Sequence, residues 1–103
     1  MASYQIMYWA DIPVQVRAKG AGGRAKAQLA ERFQEAVDLA AMSVGWIGSD
    51  EYTNAYHWGG EQERDGTAQE VVDAVVAEIE AQHPRVDWRA TVNTIRAATE
   101  TGG

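Results

Sequence analysis

The chain contains no cysteine, which removes disulfides, thiolate nucleophiles and thiolate metal sites together. It has two histidines, His57 and His83. Neither has a second imidazole at ligand spacing, so no metal is expected, and no Ser-His-Asp arrangement can be read from them. No stretch approaches the ~18 apolar residues of a membrane span. Residues 1–20 lack a basic segment followed by an apolar run and a small-residue cleavage site. No membrane association and no signal peptide are therefore expected, and the expected location is cytoplasmic.

What is present suits one folded domain. The 103 residues are 46% hydrophobic, enough for a modest core at this size. Net charge is −6, but it is unevenly spread: residues 1–32 carry +3 and residues 33–103 carry −9. The acidic excess argues against nucleic-acid binding, which needs a basic surface. The basic N-terminal third is suited to a small anion or an acidic protein patch.

Tyr4–Trp9 alternates, with Tyr4, Ile6 and Tyr8 on one face and Gln5, Met7 and Trp9 on the other, the period of a strand. Val14–Lys19 alternates likewise, so the two are read as a hairpin across Asp11-Ile12-Pro13, with the proline at a bend or edge. Gly20–Gly23 breaks the pattern, and a helix is expected from about Ala25 to Val44 with Gly45 at its C′ position. Its main face is Leu29, Phe33, Ala36, Val37, Ala40 and Val44, with Leu39 and Met42 opposite as a second contact surface.

Ser49-Asp50 is read as the cap of a short helix reaching about Trp58, and residues 59–66 as a polar loop. Thr67-Ala-Gln-Glu70 is a capping box opening a helix whose stripe is Ala68, Val71, Val72, Val75, Val76 and Ile79, stopped by His83-Pro84. Asp87 can cap a last helix with Trp88, Val92 and Ile95 on one face, although a strand through Val92–Ile95 also fits. The resulting expectation is a single α+β domain over residues 1–98 with a frayed tail at 99–103. In it an N-terminal β-hairpin packs on a long central helix, with two or three further helices beyond.

The sharpest local motif is Gly20-Ala-Gly22-Gly23-Arg-Ala25, which fits G-x-G-x-x-A between a strand and a helix, as in dinucleotide sites. The second parallel strand such a site needs is missing, because residues 46–50 are short and glycine-broken. Lys19, Gly22, Gly23, Arg24 and Lys26 remain an anion-binding candidate, using free N–H groups, a helix dipole and three cations. A solvated basic loop is the plainer alternative. Four tryptophans and four tyrosines are many for one core, and aromatics left outside it anchor interfaces. Only one face of a hairpin can rest on a helix, so either Met7 and Trp9 or Tyr4 and Tyr8 need another cover.

Tyr8-Trp9-Ala10-Asp11-Ile12-Pro13-Val14-Gln15-Val16, continuing to Lys19, resembles the small bacterial domain family called "virulence factor". Leu29-Ala-Glu31-Arg32-Phe33-Gln34-Glu35-Ala36-Val37-Asp38, Ala40-Ala41-Met42, Gly48-Ser49-Asp50-Glu51-Tyr52 and Trp58 extend the similarity. The family's domain stands alone and also occurs within conserved virulence factor C proteins, which suits an interaction module. The resemblance also implies a link to folate and corrinoid one-carbon enzymes, and hence an accessory subunit; it supplies no catalytic residue and no cofactor.

Together these readings predict a non-catalytic accessory or protein-interaction domain, with no cofactor, binding another subunit or a second copy. The expected contact residues are Trp9, Asp11, Ile12, Pro13, Gln15 and Lys19. A small-anion or cofactor-binding domain using the glycine-rich basic loop 19–26 is the alternative.

Overall fold

The structure, a computed structural model, describes the backbone of residues 1–101 and the side chains of residues 1–98. It is an α+β domain. Strands β1 (Ala2–Trp9) and β2 (Ile12–Gly20) form the expected antiparallel hairpin. The register shifts between Met7 and Tyr8, leaving Val14 as an extra residue on β2, a β-bulge that bends the strand. Ala10 and Asp11 make the turn, and Ala10 sits at φ 55, a left-handed conformation that costs a non-glycine residue about 1 kcal/mol. Three contacts hold it there. The Ala10 N–H donates to Ala55 O at 2.9 Å, His57 Nε2 donates to Ala10 O at 2.8 Å, and the Thr91 hydroxyl donates to the Asp11 carboxylate.

Residues 25–28, expected to open the first helix, belong instead to a third strand, β3 (Gly23–Gln28), antiparallel to β2. Arginine, alanine, lysine and glutamine all favour helices in isolation. Here the tight Gly20–Gly23 turn folds the segment back on β2, where it alternates in step with it: Arg24, Lys26 and Gln28 exposed, Ala25 and Ala27 half-buried. Gly22 and Gly23 supply the φ values of 84° and 102° the turn uses.

The first helix, α1 (Glu31–Ser43), buries Phe33, Ala36, Val37, Ala40 and Ala41, and Gly45 follows it at φ 73. Leu39 and Met42 remain 43% and 65% exposed. The next helix is shorter than expected: α2 (Asp50–Asn54) ends early, and Tyr56–Trp58 forms β4, which pairs with β1. Within the expected polar loop, β5 (Gln62–Arg64) pairs with the beginning of β1. β1 is thus flanked by β2 on one side and by β4 and β5 on the other, in a sheet ordered β3-β2-β1-β4.

Helix α3 (Ala68–Gln82) begins at the predicted capping box, with Glu70 N donating to Thr67 Oγ1 and Thr67 N to the Glu70 carboxylate. Helix α4 (Trp88–Thr101) is the last element; Asp87 accepts from Ala90 N at its start, and Val92 and Ile95 are buried. Residues 99–101 of the expected frayed tail belong to this helix, and 102–103 lie outside the described residues.

The layering differs from the expectation of one helix between the hairpin and its neighbour. Helix α3 packs directly on β1, β2 and β3, whereas α1 touches β2 and packs against α4. The third strand explains this, because it widens the sheet enough for α3 to lie on it. The buried stripe of α3 (Ala68, Val71, Val72, Val75, Ile79) covers the sheet face that carries Val16 and Ala18.

The two helices on the sheet are tied end to end. Arg32 of α1 donates to His83 O and Glu80 O at the end of α3, while the Glu80 carboxylate accepts from Ala30 N before α1. Each charge offsets a helix terminus of opposite polarity. Among the described residues, no helix is long and apolar enough to cross a membrane.

Candidate functional site

The cross-strand register places the chemistry of this chain. Directly opposite residues share a face, so Ile6, Val16 and Ala27 line up toward α3, as do Tyr4, Ala18 and Ala25. The other face carries Ser3, Lys19 and Arg24 in one row and Gln5, Arg17 and Lys26 in the next. No helix packs there on the exposed Arg17, Lys19, Arg24 and Lys26. Four cations therefore stand on one open sheet face around a hollow of about 530 Å³, whose one lining carboxylate is Glu61. Among the described residues the ion pair is Arg64–Glu78, so none of the four is salt-bridged.

Arg17 is the most firmly held of them. Its Nε and Nη2 donate to Gln5 Oε1 at 3.1 and 2.7 Å, and Gln5 Nε2 donates to Gly59 O at 3.1 Å. The guanidinium also lies over the Trp58 ring, 3.7 Å from its centroid. Such a cation has little conformational freedom left to lose on meeting an anion, which favours binding. Lys19, Arg24 and Lys26 surround it as long, exposed side chains.

The glycine motif does not build the predicted phosphate cradle. No helix begins at residues 23–25; the helix start at this turn is that of α3, whose Ala68 N–H is already spent on Ala21 O at 3.3 Å, and a Cβ added at Gly22 or Gly23 would meet open space. Of the anion-binding candidates, Lys19, Arg24 and Lys26 do come together, through sheet pairing. The glycines serve the turn, and Gly20 serves a close approach, since a Cβ there would lie 2.9 Å from Ala2 Cα.

The expected contact residues divide. Trp9, Ile12 and Pro13 are buried, which removes them from the surface. Trp9 packs against the Trp46 and Tyr52 rings and donates from Nε1 to Tyr52 O at 2.9 Å. Asp11 is exposed, but its carboxylate is taken by Thr91. Gln15 and Lys19 lie on the open face. Arg17 and Gln5 belong to that face and are not among the residues expected from sequence, and Trp58, noted there for the family resemblance, belongs to it as well. The available signal was the alternation of Arg24-Ala-Lys26-Ala-Gln28 matching that of Arg17-Ala-Lys19.

Nothing else in the described residues resembles a reaction centre. Among the described residues, three or more metal-ligating side chains do not converge. His57 supports the β1–β2 turn, and His83 meets the Phe33 ring edge-on. Tyr52, Tyr56 and Asp38 form a hydroxyl–carboxylate chain beside α1. The hydrogen bond to Tyr56, with burial and the negative groups nearby, holds the Tyr52 hydroxyl well above the usual tyrosine range. It therefore stays protonated and unsuited to act as a nucleophile.

A family model described as "Virulence factor" matches residues 7–92. No curated protein and no solved structure matches the chain.

Proposed function

This chain belongs to the virulence factor family, and from that premise we propose that it is a non-catalytic accessory domain whose open sheet face receives an acidic protein partner. The observation that carries the reading is the pairing of like charges. Lys19 stands directly opposite Arg24, and Arg17 directly opposite Lys26. Like charges directly opposite each other across strands destabilise a sheet. The chain has 15 acidic residues, yet among the described residues none is salt-bridged to any of the four cations. An acidic partner relieves that repulsion on binding and is drawn by it at long range. Folate and corrinoid one-carbon enzymes, suggested by the family resemblance, are the first partners to try.

The test compares co-purification at near-native abundance by the natural chain and by a variant carrying R17E, K19E, R24E and K26E. A partner recovered by the first, lost by the second and released by moderate salt is the expected result. A partner retained by the folded variant, or no partner and a stable monomer, overturns the reading.

The fixed geometry of Arg17 favours a second reading, a small-anion or cofactor-binding domain. A thermal-shift screen with phosphates, nucleotides and folates discriminates: a specific shift abolished by Arg24→Ala supports it, and a flat screen sinks it.

A further inference from the structure

Among the described residues, β3 is the outermost strand of the sheet, hydrogen-bonded to β2 on one side and to no strand on the other. Its register with β2 runs from Gly20↔Gly23 to Gln15↔Gln28 without a bulge, and it contains no proline. On such an edge, alternate residues turn their N–H and C=O groups outward without a partner. Helix α3 packs beneath β3, on the side of the half-buried Ala25 and Ala27, and leaves Arg24 and Lys26 exposed on the open face.

We infer that β3 is a docking edge that takes an extended acidic segment of the partner as a further strand of the sheet. The inference rests on the reading above, that the open face receives an acidic partner, and adds how it is received. Two features define the occupant. Side chains opposite Arg24 and Lys26 are two residues apart and share the open face, so carboxylates there form cross-strand pairs with both cations. The residue between them falls on the α3 side next to the half-buried Ala25 and Ala27, whose apolar neighbourhood favours an apolar side chain.

A second copy of the chain is disfavoured as the occupant. Pairing two β3 strands antiparallel sets the arginine and lysine of one against those of the other, the like-charge arrangement already costly within the sheet. A small anion answers the cations but leaves the backbone groups of the edge unpaired.

The experiment titrates the full chain with labelled octapeptides, followed by fluorescence anisotropy at low and moderate salt. One peptide alternates glutamate with valine between serine ends. A second has the same composition with its glutamates consecutive. Two more carry the alternating sequence with backbone N-methyl groups, at the glutamates in one and at the valines in the other. The alternating peptide is expected to bind roughly tenfold more tightly than the block peptide, and one N-methylated form, but not the other, to lose that gain, because only alternate amides face the edge. Equal binding of the alternating and block peptides, insensitive to N-methylation, overturns strand addition while leaving the acidic-partner reading standing. No binding of either acidic peptide at low salt overturns both. Tighter binding of a single-stranded oligonucleotide than of any peptide overturns both in favour of a nucleic-acid ligand.

Discussion

The Arg17 guanidinium lies 3.7 Å from the centroid of the Trp58 ring, joining β2 to β4 across β1 on the open face of the sheet. A cation over an indole at an exposed site contributes roughly 0.5–1 kcal/mol. A double-mutant cycle of Arg17→Ala and Trp58→Ala, read by urea denaturation, is expected to return a coupling of that size. A coupling indistinguishable from zero shows that the contact does not hold Arg17.

Ala10 is predicted to accept glycine with a gain. Its φ of 55 is strained for alanine and free for glycine, so Ala10→Gly is expected to stabilise by up to about 0.5 kcal/mol after the extra entropy of the unfolded chain is counted. Ala10→Val, β-branched at a positive φ, is expected to destabilise by more than that. Urea midpoints for the three proteins decide the order.

Trp9 is predicted to behave as core. It is fully buried between two aromatic rings and hydrogen-bonded through its indole nitrogen, so Trp9→Ala is expected to cost about 3–5 kcal/mol. Lys19→Ala and Gln15→Ala, on the open face, are expected to stay within about 0.5 kcal/mol of the natural chain. A mild Trp9→Ala with full partner loss would return Trp9 to the list of contact residues.

Acid is predicted to loosen the start of α3. Thr67 backbone and side-chain hydrogen bonds hold the Glu70 carboxyl below its ordinary 4.5, and Arg64 does the same for Glu78. A carboxyl lowered in the folded state contributes stability that is full above its unfolded pKa and is lost as pH falls through the lower folded value. Melting temperature should therefore decline below about pH 4.5, and less steeply for Glu70→Gln. Parallel pH profiles for the two proteins would remove the carboxylate from the account.

Features written in short local patterns were legible in the sequence. The Thr67–Glu70 capping box, the glycine after α1, the His83-Pro84 stop and the alternation of β1 and β2 each depend on neighbours within a few residues. Two kinds of feature were not. β4 and β5 have three residues each, too few for a period of two to be distinguished from loop. The bulge at Val14 breaks the alternation from outside it: counting by twos puts Trp9 with Gln5 and Met7 on the open face, whereas Trp9 is buried and paired with Ile12. For residues 24–28 the helix-forming composition prevailed over the period, because nothing nearby in sequence shows that β2 will be there to pair with.

The same separation along the chain matters in time. Thr91, which holds Asp11, lies 80 residues beyond it, and Ala55 and His57 lie more than 40 residues beyond Ala10. A ribosome delivering this chain exposes the β1–β2 hairpin with its strained turn long before the groups that steady it. A two-stranded hairpin is marginal on its own in water, and of the three contacts at its turn two come with Ala55 and His57 and the third with Thr91. Helix α4 thus completes the β1–β2 turn, and a ribosome stalled before Thr91 leaves that turn on two of its three supports.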